Sequence, residues 1–133
     1  MSIPALVATF AVMAVLDGIW LTVVARGFYR DHIGHLLADA TNWPPAVAFY
    51  VIYTLGAWFF ATQPGVDDGS ALTAAWRGAA FGFVAYATYD LTNHATLRGW
   101  PTLVTVVDMA WGTALTAAVA GVAAWVTLTL FAG

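Results

Sequence analysis

Almost the whole chain is made of apolar runs separated by short polar breaks. The first runs from about Ile3 to Ala25, the second from about Ala46 to Thr62, the third from about Leu72 to His94 and the fourth from about Thr102 to Phe131. Runs of this kind read as helices that cross a bilayer. At about 1.5 Å per residue, a stretch of roughly 23 residues reaches about 34 Å, enough to span the hydrocarbon core. Trp43-Pro44-Pro45 opens the second run, where proline suits the first turn of a helix and tryptophan suits the interface. Gln63-Pro64-Gly65-Val66-Asp67-Asp68-Gly69-Ser70 reads as the clearest turn, and Leu97-Arg98-Gly99-Trp100-Pro101 as a tight turn at an interface. Arg26 to His32 reads as a headgroup-level connection, with Ile33 to Ala40 as a short helix lying in the interface. Gly78, Ala79, Ala80, Gly82 and Ala85 in the third run, and Ala114, Ala117, Ala118 and Gly121 in the fourth, suit close helix contact. The expectation is an all-α integral membrane protein. A single domain over residues 1–133 forms a four-transmembrane-helix bundle.

Composition makes a soluble alternative untenable. Of 133 residues, 62% are hydrophobic and 8% charged, and the mean hydropathy is +0.80, whereas soluble domains carry about a quarter charged residues. The cations are Arg26, Arg30, Arg77 and Arg98, and the chain has neither lysine nor glutamate. A net charge of −3 without a basic cluster argues against nucleic acid as a partner. Membrane lipids are the implied surroundings, with a membrane-protein partner or further copies of the chain as assembly options. With no cysteine, disulfides, thiolate catalysis and cysteine metal sites are excluded. The first run carries Asp17 and lacks both a basic lead and a small-residue cleavage site, so it reads as a retained helix and not a signal peptide. Arg26, Arg30 and Arg98 flank the first and third connections, with Arg77 near the other side. The positive-inside bias then puts those connections in the cytoplasm and both termini outside.

The residues that stand out chemically are Asp17, Asp90 and Asp108. A carboxylate at mid-helix costs about 2.5–3.5 kcal/mol on insertion scales, so such residues turn to the bundle interior and find partners. Asp17 lies nine residues before Arg26 and Asp108 seven beyond Pro101. That places them roughly 13 Å and 10 Å from one interface, with Asp90 closer to it. Three helices thus bring three carboxyls to similar depth in one leaflet. Each alone is also readable as helix glue, though that is the lesser reading. Together they repel when ionised, and a carboxyl that keeps its proton is what acid–base chemistry needs. Tyr86, Tyr89, Asp90 and Asn93 fall at i, i+3, i+4 and i+7, one helix face. His94 follows at i+4 from Asp90 as a candidate proton shuttle, and Arg98 as a partner for Asp90 or a lipid phosphate. Asp17-x-x-Trp20 and Asp108-x-x-Trp111 echo each other, each placing an indole on the face of its carboxyl. Tyr50 and Tyr53 are candidates to face the same cavity from the second span. Asp31, His35 and Asp39, beside His32, have a spacing that suits a metal, but a polar interfacial face explains them as well and no metal is assigned.

The patterns Leu16-Asp17-x-x-Trp20, Tyr89-Asp90-Leu91-Thr92-Asn93 and Trp100-Pro101 followed by Val107-Asp108-x-x-Trp111-Gly112 resemble a family of small bacterial inner-membrane proteins known as a domain of unknown function. The resemblance covers nearly the whole chain. It implies a four-span protein of the bacterial inner membrane and carries over no activity and no catalytic residue. Phosphate-loop, Ser-x-x-Lys, Gly-x-Ser-x-Gly and His-Glu-x-x-His motifs are absent, and no cofactor is implied. The leading expectation is a polar site that binds or acts on a lipid-like or isoprenoid-like molecule by cofactor-free acid–base chemistry. Its catalytic candidates are Asp17, Asp90, Asp108, Asn93, Tyr89 and His94, with Trp20, Tyr50, Tyr53, Tyr86, Trp111 and Arg98 contacting the substrate. The alternatives are an accessory or assembly subunit of a larger pigment- or quinone-carrying complex, and a small proton-coupled transporter.

Overall fold

A computed structural model describes residues 2–131. Its helices are α1 (Ile3–Ile19), α2 (Ala25–Ile33), α3 (Trp43–Ala57), α4 (Gln63–Asp67), α5 (Ala71–Thr96) and α6 (Thr102–Leu130). A π turn over Trp20–Val24 joins α1 to α2, and another over Trp58–Thr62 joins α3 to α4. The helices therefore form four long rods. Ser2 opens the first, its hydroxyl accepting the Ala5 N–H at 3.1 Å just ahead of Pro4. Ser70 caps α5 in the same way through Thr73, also at 3.1 Å. A serine cap satisfies amide groups that a helix start leaves without partners. The stretches Ile3–Leu36, Trp43–Asp67 and Thr102–Leu130 are long and apolar enough to cross a membrane. The fourth rod, α5, has the length at 26 residues. It exposes Leu72, Phe83, Val84 and Leu91 but mixes Arg77, Asp90, Asn93 and His94 into the same helix.

The bundle is apolar outside and partly polar inside. Leu72, Val23 and Leu130 are 76%, 74% and 73% exposed, while Thr9, Thr54, Thr62, Thr116 and Asp90 are fully buried. Lipid tails are as apolar as leucine, so helices in a bilayer are held by close packing and interhelical hydrogen bonds. Both are present. The Thr9 and Thr62 hydroxyls meet at 3.0 Å between α1 and the second π turn. Tyr53 of α3 donates to Thr116 Oγ1 of α6 at 2.6 Å, and Thr116 donates on to the Gly112 carbonyl at 2.8 Å. The closest approach is that of α5 and α6. A Cβ on Gly82 would run into the Gly112 carbonyl and would lie 2.6 Å from Thr116 Oγ1, and one on Gly112 would collide with the Tyr86 ring. Met13, Tyr53, Leu115 and Val119 fill the centre.

Two connections differ from the sequence reading. Arg26 to His32 is helical, within α2, because Ala25, Tyr29 and Ile33 repeat every four residues. Ala25 and Ile33 are buried, and Ile33 packs with Trp100 and Val104. One 3-10 turn over Gly34–Leu36 follows, and residues 37–42 are irregular, so the expected interfacial helix over Ile33 to Ala40 does not extend that far. The turn expected from Gln63 is helical as far as Asp67, and only Asp68–Ser70 turn, with Gly69 at φ +66°. Two contacts hold Gln63 in place: Ser2 N–H donates to its Oε1 at 2.9 Å, and its Nε2 donates to Asp67 at 2.8 Å. Pro64 has no N–H to offer the Phe60 carbonyl four residues earlier. Arg77 Nε donates to that carbonyl instead, at 2.8 Å.

The α5–α6 contact yields a stability prediction. Gly82→Val is expected to lower the thermal unfolding temperature of purified protein in detergent, at a cost of about 1–3 kcal/mol typical of overpacking. Ala80→Val, on the exposed side of the same helix, serves as control. Equal transitions for the two variants would show that the contact is not tight.

Candidate functional site

Gly78, Gly82 and Asp90 lie on the buried face of α5, the face that meets α6. The glycines that let the helices approach therefore also turn Asp90 inward. Asp90 is 0% exposed, and among the described residues neither of its carboxyl oxygens has a hydrogen-bond donor. Its carboxyl lies against that of Asp108 on α6. Asp108, 7% exposed, accepts a hydrogen bond from the Tyr29 hydroxyl. Tyr29 reaches it because α2 continues the first rod past the π turn. Such single-turn π segments recur in helices at functional sites.

Asp17 is half-buried on α1, beside the Trp111 indole and within electrostatic reach of Asp108. The two Asp-x-x-Trp sequences meet here: Trp20 and Trp111 stack with centroids 4.2 Å apart and planes 10° from parallel. Offset stacking of this kind contributes about 0.5–1.5 kcal/mol beyond area burial. It joins α1 to α6 one turn from Asp108, and the Trp111 N–H is buried without a partner among the described residues.

Two cavities adjoin the pair. The larger, about 460 Å³, is lined by residues that include Leu21, Arg26, Tyr29, Arg30, Trp100 and Asp108. The smaller, about 160 Å³, is lined by Phe49, Tyr53, Ala85, Tyr86, Tyr89 and Asp108. Tyr89 and Asp108 belong to both walls and divide one space from the other. Asp108 thus faces a partly polar chamber on one side and an aromatic one on the other, with Asp90 behind it.

The sequence matches a family described as "Predicted membrane protein (DUF2177)" over residues 2–125. The chain belongs to the DUF2177 family. No curated protein and no solved structure matches it.

In this DUF2177 protein the candidate residues divide into groups. Asp90 and Asp108 come together, with Tyr53, Tyr86 and Tyr89 on the cavity walls. Tyr89 is 55% exposed and packs edge-on to Trp100 at 6.0 Å, so it sits off the buried face that holds Asp90. Asn93 is half-buried beside it. Asp17, Trp20 and Trp111 are on the wall of neither cavity, and the two indoles pack on each other. Tyr50 packs against the central core. His94 faces the hydroxyls of Thr102 and Thr105, both at 3.3 Å, and Trp100 Nε1 donates to Thr105 at 3.0 Å. The histidine therefore ties α5 to α6 and makes no bond to Asp90. Arg98 is exposed in the turn and Asp90 has no donor from it. In α2, His32 Nδ1 bonds to the Phe28 carbonyl at 2.8 Å, while Asp31, His35 and Asp39 are exposed.

Sequence reading missed Tyr29, Trp100 and the cavity role of Arg26 and Arg30, all of which it took for interface anchors. The available signal was the Ala25, Tyr29, Ile33 repeat, a narrow apolar stripe inside an otherwise polar segment.

The Tyr29–Asp108 bond is open to a double-mutant cycle. Tyr29→Phe is expected to destabilise the purified protein by about 1–3 kcal/mol, because it strips a buried carboxyl of its donor. In an Asp108→Leu background the same change is expected to cost little. Additive losses across the cycle, read by thermal or denaturant unfolding, would show that the two groups do not interact.

Proposed function

We propose that this protein binds a lipid-like molecule between α2, α5 and α6 and exchanges a proton with it through Asp108. The observation that carries this reading is the position of Asp108: a carboxyl on the wall of two cavities, backed by the fully buried Asp90. Two carboxylates in contact inside an apolar bundle repel strongly, and one proton between them turns the repulsion into a hydrogen bond. The pair then works as a proton store with one open end. Tyr29 holds Asp108 in orientation from the other side. Asp108 gives its proton to one carbon of a double bond in the bound molecule, and the pair takes a proton from a neighbouring carbon. The double bond moves, the composition of the molecule is unchanged, and no oxidant or cofactor is needed. Tyr89 and Trp100, on the wall of the larger cavity with Asp108, supply aromatic rings beside the positive charge that develops between the two transfers. Asp108 is the catalytic group, and Asp90 and Tyr29 are positioning groups. His94, through Thr105, supports the Trp100 wall. In this reading the Arg26, Arg30 and Arg98 end is the cytoplasmic side of a bacterial inner membrane, and both termini lie outside.

A second reading, as a subunit of a larger membrane complex, is favoured by one observation. A shallow groove of about 500 Å³ runs along the outer side of α5 and α6, floored by Ala79, Ala110, Ala114 and Ala117, with room for a neighbouring helix. In that reading the aspartates only hold the bundle together.

One experiment separates the two. Full-length protein is reconstituted in vesicles of total bacterial lipid extract in deuterated buffer, and carbon-bound deuterium in each lipid class is followed by mass spectrometry. Wild-type protein is expected to label one unsaturated class. Asp108→Asn is expected to slow labelling by on the order of a hundredfold, the usual contribution of a positioned acid or base, with Asp90→Asn intermediate. Absence of labelling by folded wild-type protein in every class overturns the acid–base reading.

A further inference from the structure

We propose that the molecule taken by this site carries a phosphate head, gripped by Arg26 and Arg30 at the mouth of the larger cavity. This rests on the reading of that cavity as the seat of a lipid-like molecule, but not on any proton transfer by Asp108. Arg26, Tyr29, Arg30 and Ile33 fall at i, i+3, i+4 and i+7 on one face of α2, and all four line the cavity. The hydrogen bond from Tyr29 to Asp108 turns this face of the helix toward α6, so the two arginines, both exposed, also border the chamber. An arginine serving only as a membrane anchor has no reason to share its face with a tyrosine that reaches an interior carboxyl.

Neither guanidinium has a hydrogen-bond partner among the described residues. Among the described residues the arginine hydrogen bonds are confined to that of Arg77 on Phe60, at the other end of the bundle. Asp31, next to Arg30, is exposed on a different face, and the one carboxyl on the cavity wall, Asp108, accepts from Tyr29. Two arginine forks one helical turn apart offer more donors than a carboxylate can accept, whereas a phosphate has terminal oxygens for both. The wall beside the arginines is apolar at Leu21, Ile33, Leu37 and Val104. A volume of about 460 Å³ holds a head and the first carbons of a chain, and Asp108 lies on the same wall. The chamber is therefore built for an amphiphile held head-out. An anionic head gives it a fixed depth and brings a defined part of the chain to Asp108.

The test is binding by isothermal calorimetry to full-length protein in a neutral maltoside detergent. The probes are short-chain phosphatidic acid, the matching diacylglycerol and inorganic phosphate. Phosphatidic acid is expected to bind more tightly than either of the others. The double variant Arg26→Gln with Arg30→Gln is expected to weaken it by about tenfold or more, since two charge-assisted contacts are lost, without changing diacylglycerol binding. The readout is binding without turnover, so phosphatidic acid binding that persists when the lipid labelling in deuterated buffer fails would overturn the proton chemistry and leave this proposal standing. A second measurement needs no variant. Raising ionic strength from about 50 to about 500 mM is expected to weaken phosphatidic acid binding to the wild-type protein and leave diacylglycerol unaffected. Equal affinity for phosphatidic acid and diacylglycerol, or no loss in the double variant, overturns the proposal. Inorganic phosphate binding as tightly as phosphatidic acid overturns the lipid source of the phosphate and the role given to the apolar wall.

Discussion

The approach of α5 to α6 is the constraint on which the rest of the arrangement depends. Gly82 sits where any Cβ would strike the Gly112 carbonyl, and Gly112 leaves the space that the Tyr86 ring occupies. Remove the closeness and the two carboxyls separate, because Asp90 and Asp108 project from these two helices into the same interface. The glycines thus do two things at once. They supply the packing that stands in for a hydrophobic driving force in lipid, and they bring the two carboxyl groups together. Tyr86 lies between the two effects, filling the gap left by Gly112 and lining the aromatic chamber beside Asp108.

The bundle architecture was legible from the sequence because its signal is long and redundant. Four apolar runs with prolines, glycines and serines at their ends leave few other solutions once lipid surrounds the chain. What was not legible depended on the helical phase. A π turn adds a residue to a turn and rotates everything beyond it, so the face on which Tyr29, Arg26 and Arg30 emerge after Trp20–Val24 does not follow from counting forward from Asp17. The second π turn did the same at Trp58–Thr62 and carried a helix through Pro64. There a proline-glycine signal had read as a turn. The Phe60 carbonyl, which Pro64 cannot donate to, is met by Arg77 from another helix, a compensation invisible in local sequence.

The paired Asp-x-x-Trp sequences show the same limit from the other side. As text they were equally well a coincidence, and spacing alone gave no reason to prefer contact. In the fold the two tryptophans stack on each other. The indoles, suited by spacing to flank a substrate, instead join the first rod to α6, and the cavity walls are made by other aromatics. A motif can be structurally real while its residues hold the helices that carry the site instead of touching what the site binds.

The use of carboxyls here calls for a reason beyond holding helices. The bundle already shows how it joins helices with polar groups: Thr9 with Thr62, and Tyr53 with Thr116. Hydroxyls do this at little insertion cost and complete their remaining bonds on their own helix, as Thr9 does to Ala5 and Thr116 to Gly112. An aspartate at mid-helix costs about 2.5–3.5 kcal/mol to insert. A hydrogen bond such as that from Tyr29 returns about 1 kcal/mol in ordinary cases and about 1.5–3 kcal/mol when one partner is charged. Asp90 has no donor at all among the described residues to offset its share. A threonine or asparagine at either position would join the helices at lower cost. What those residues cannot do is hold a proton that another molecule can take, the role proposed for Asp108 on the wall of the two cavities.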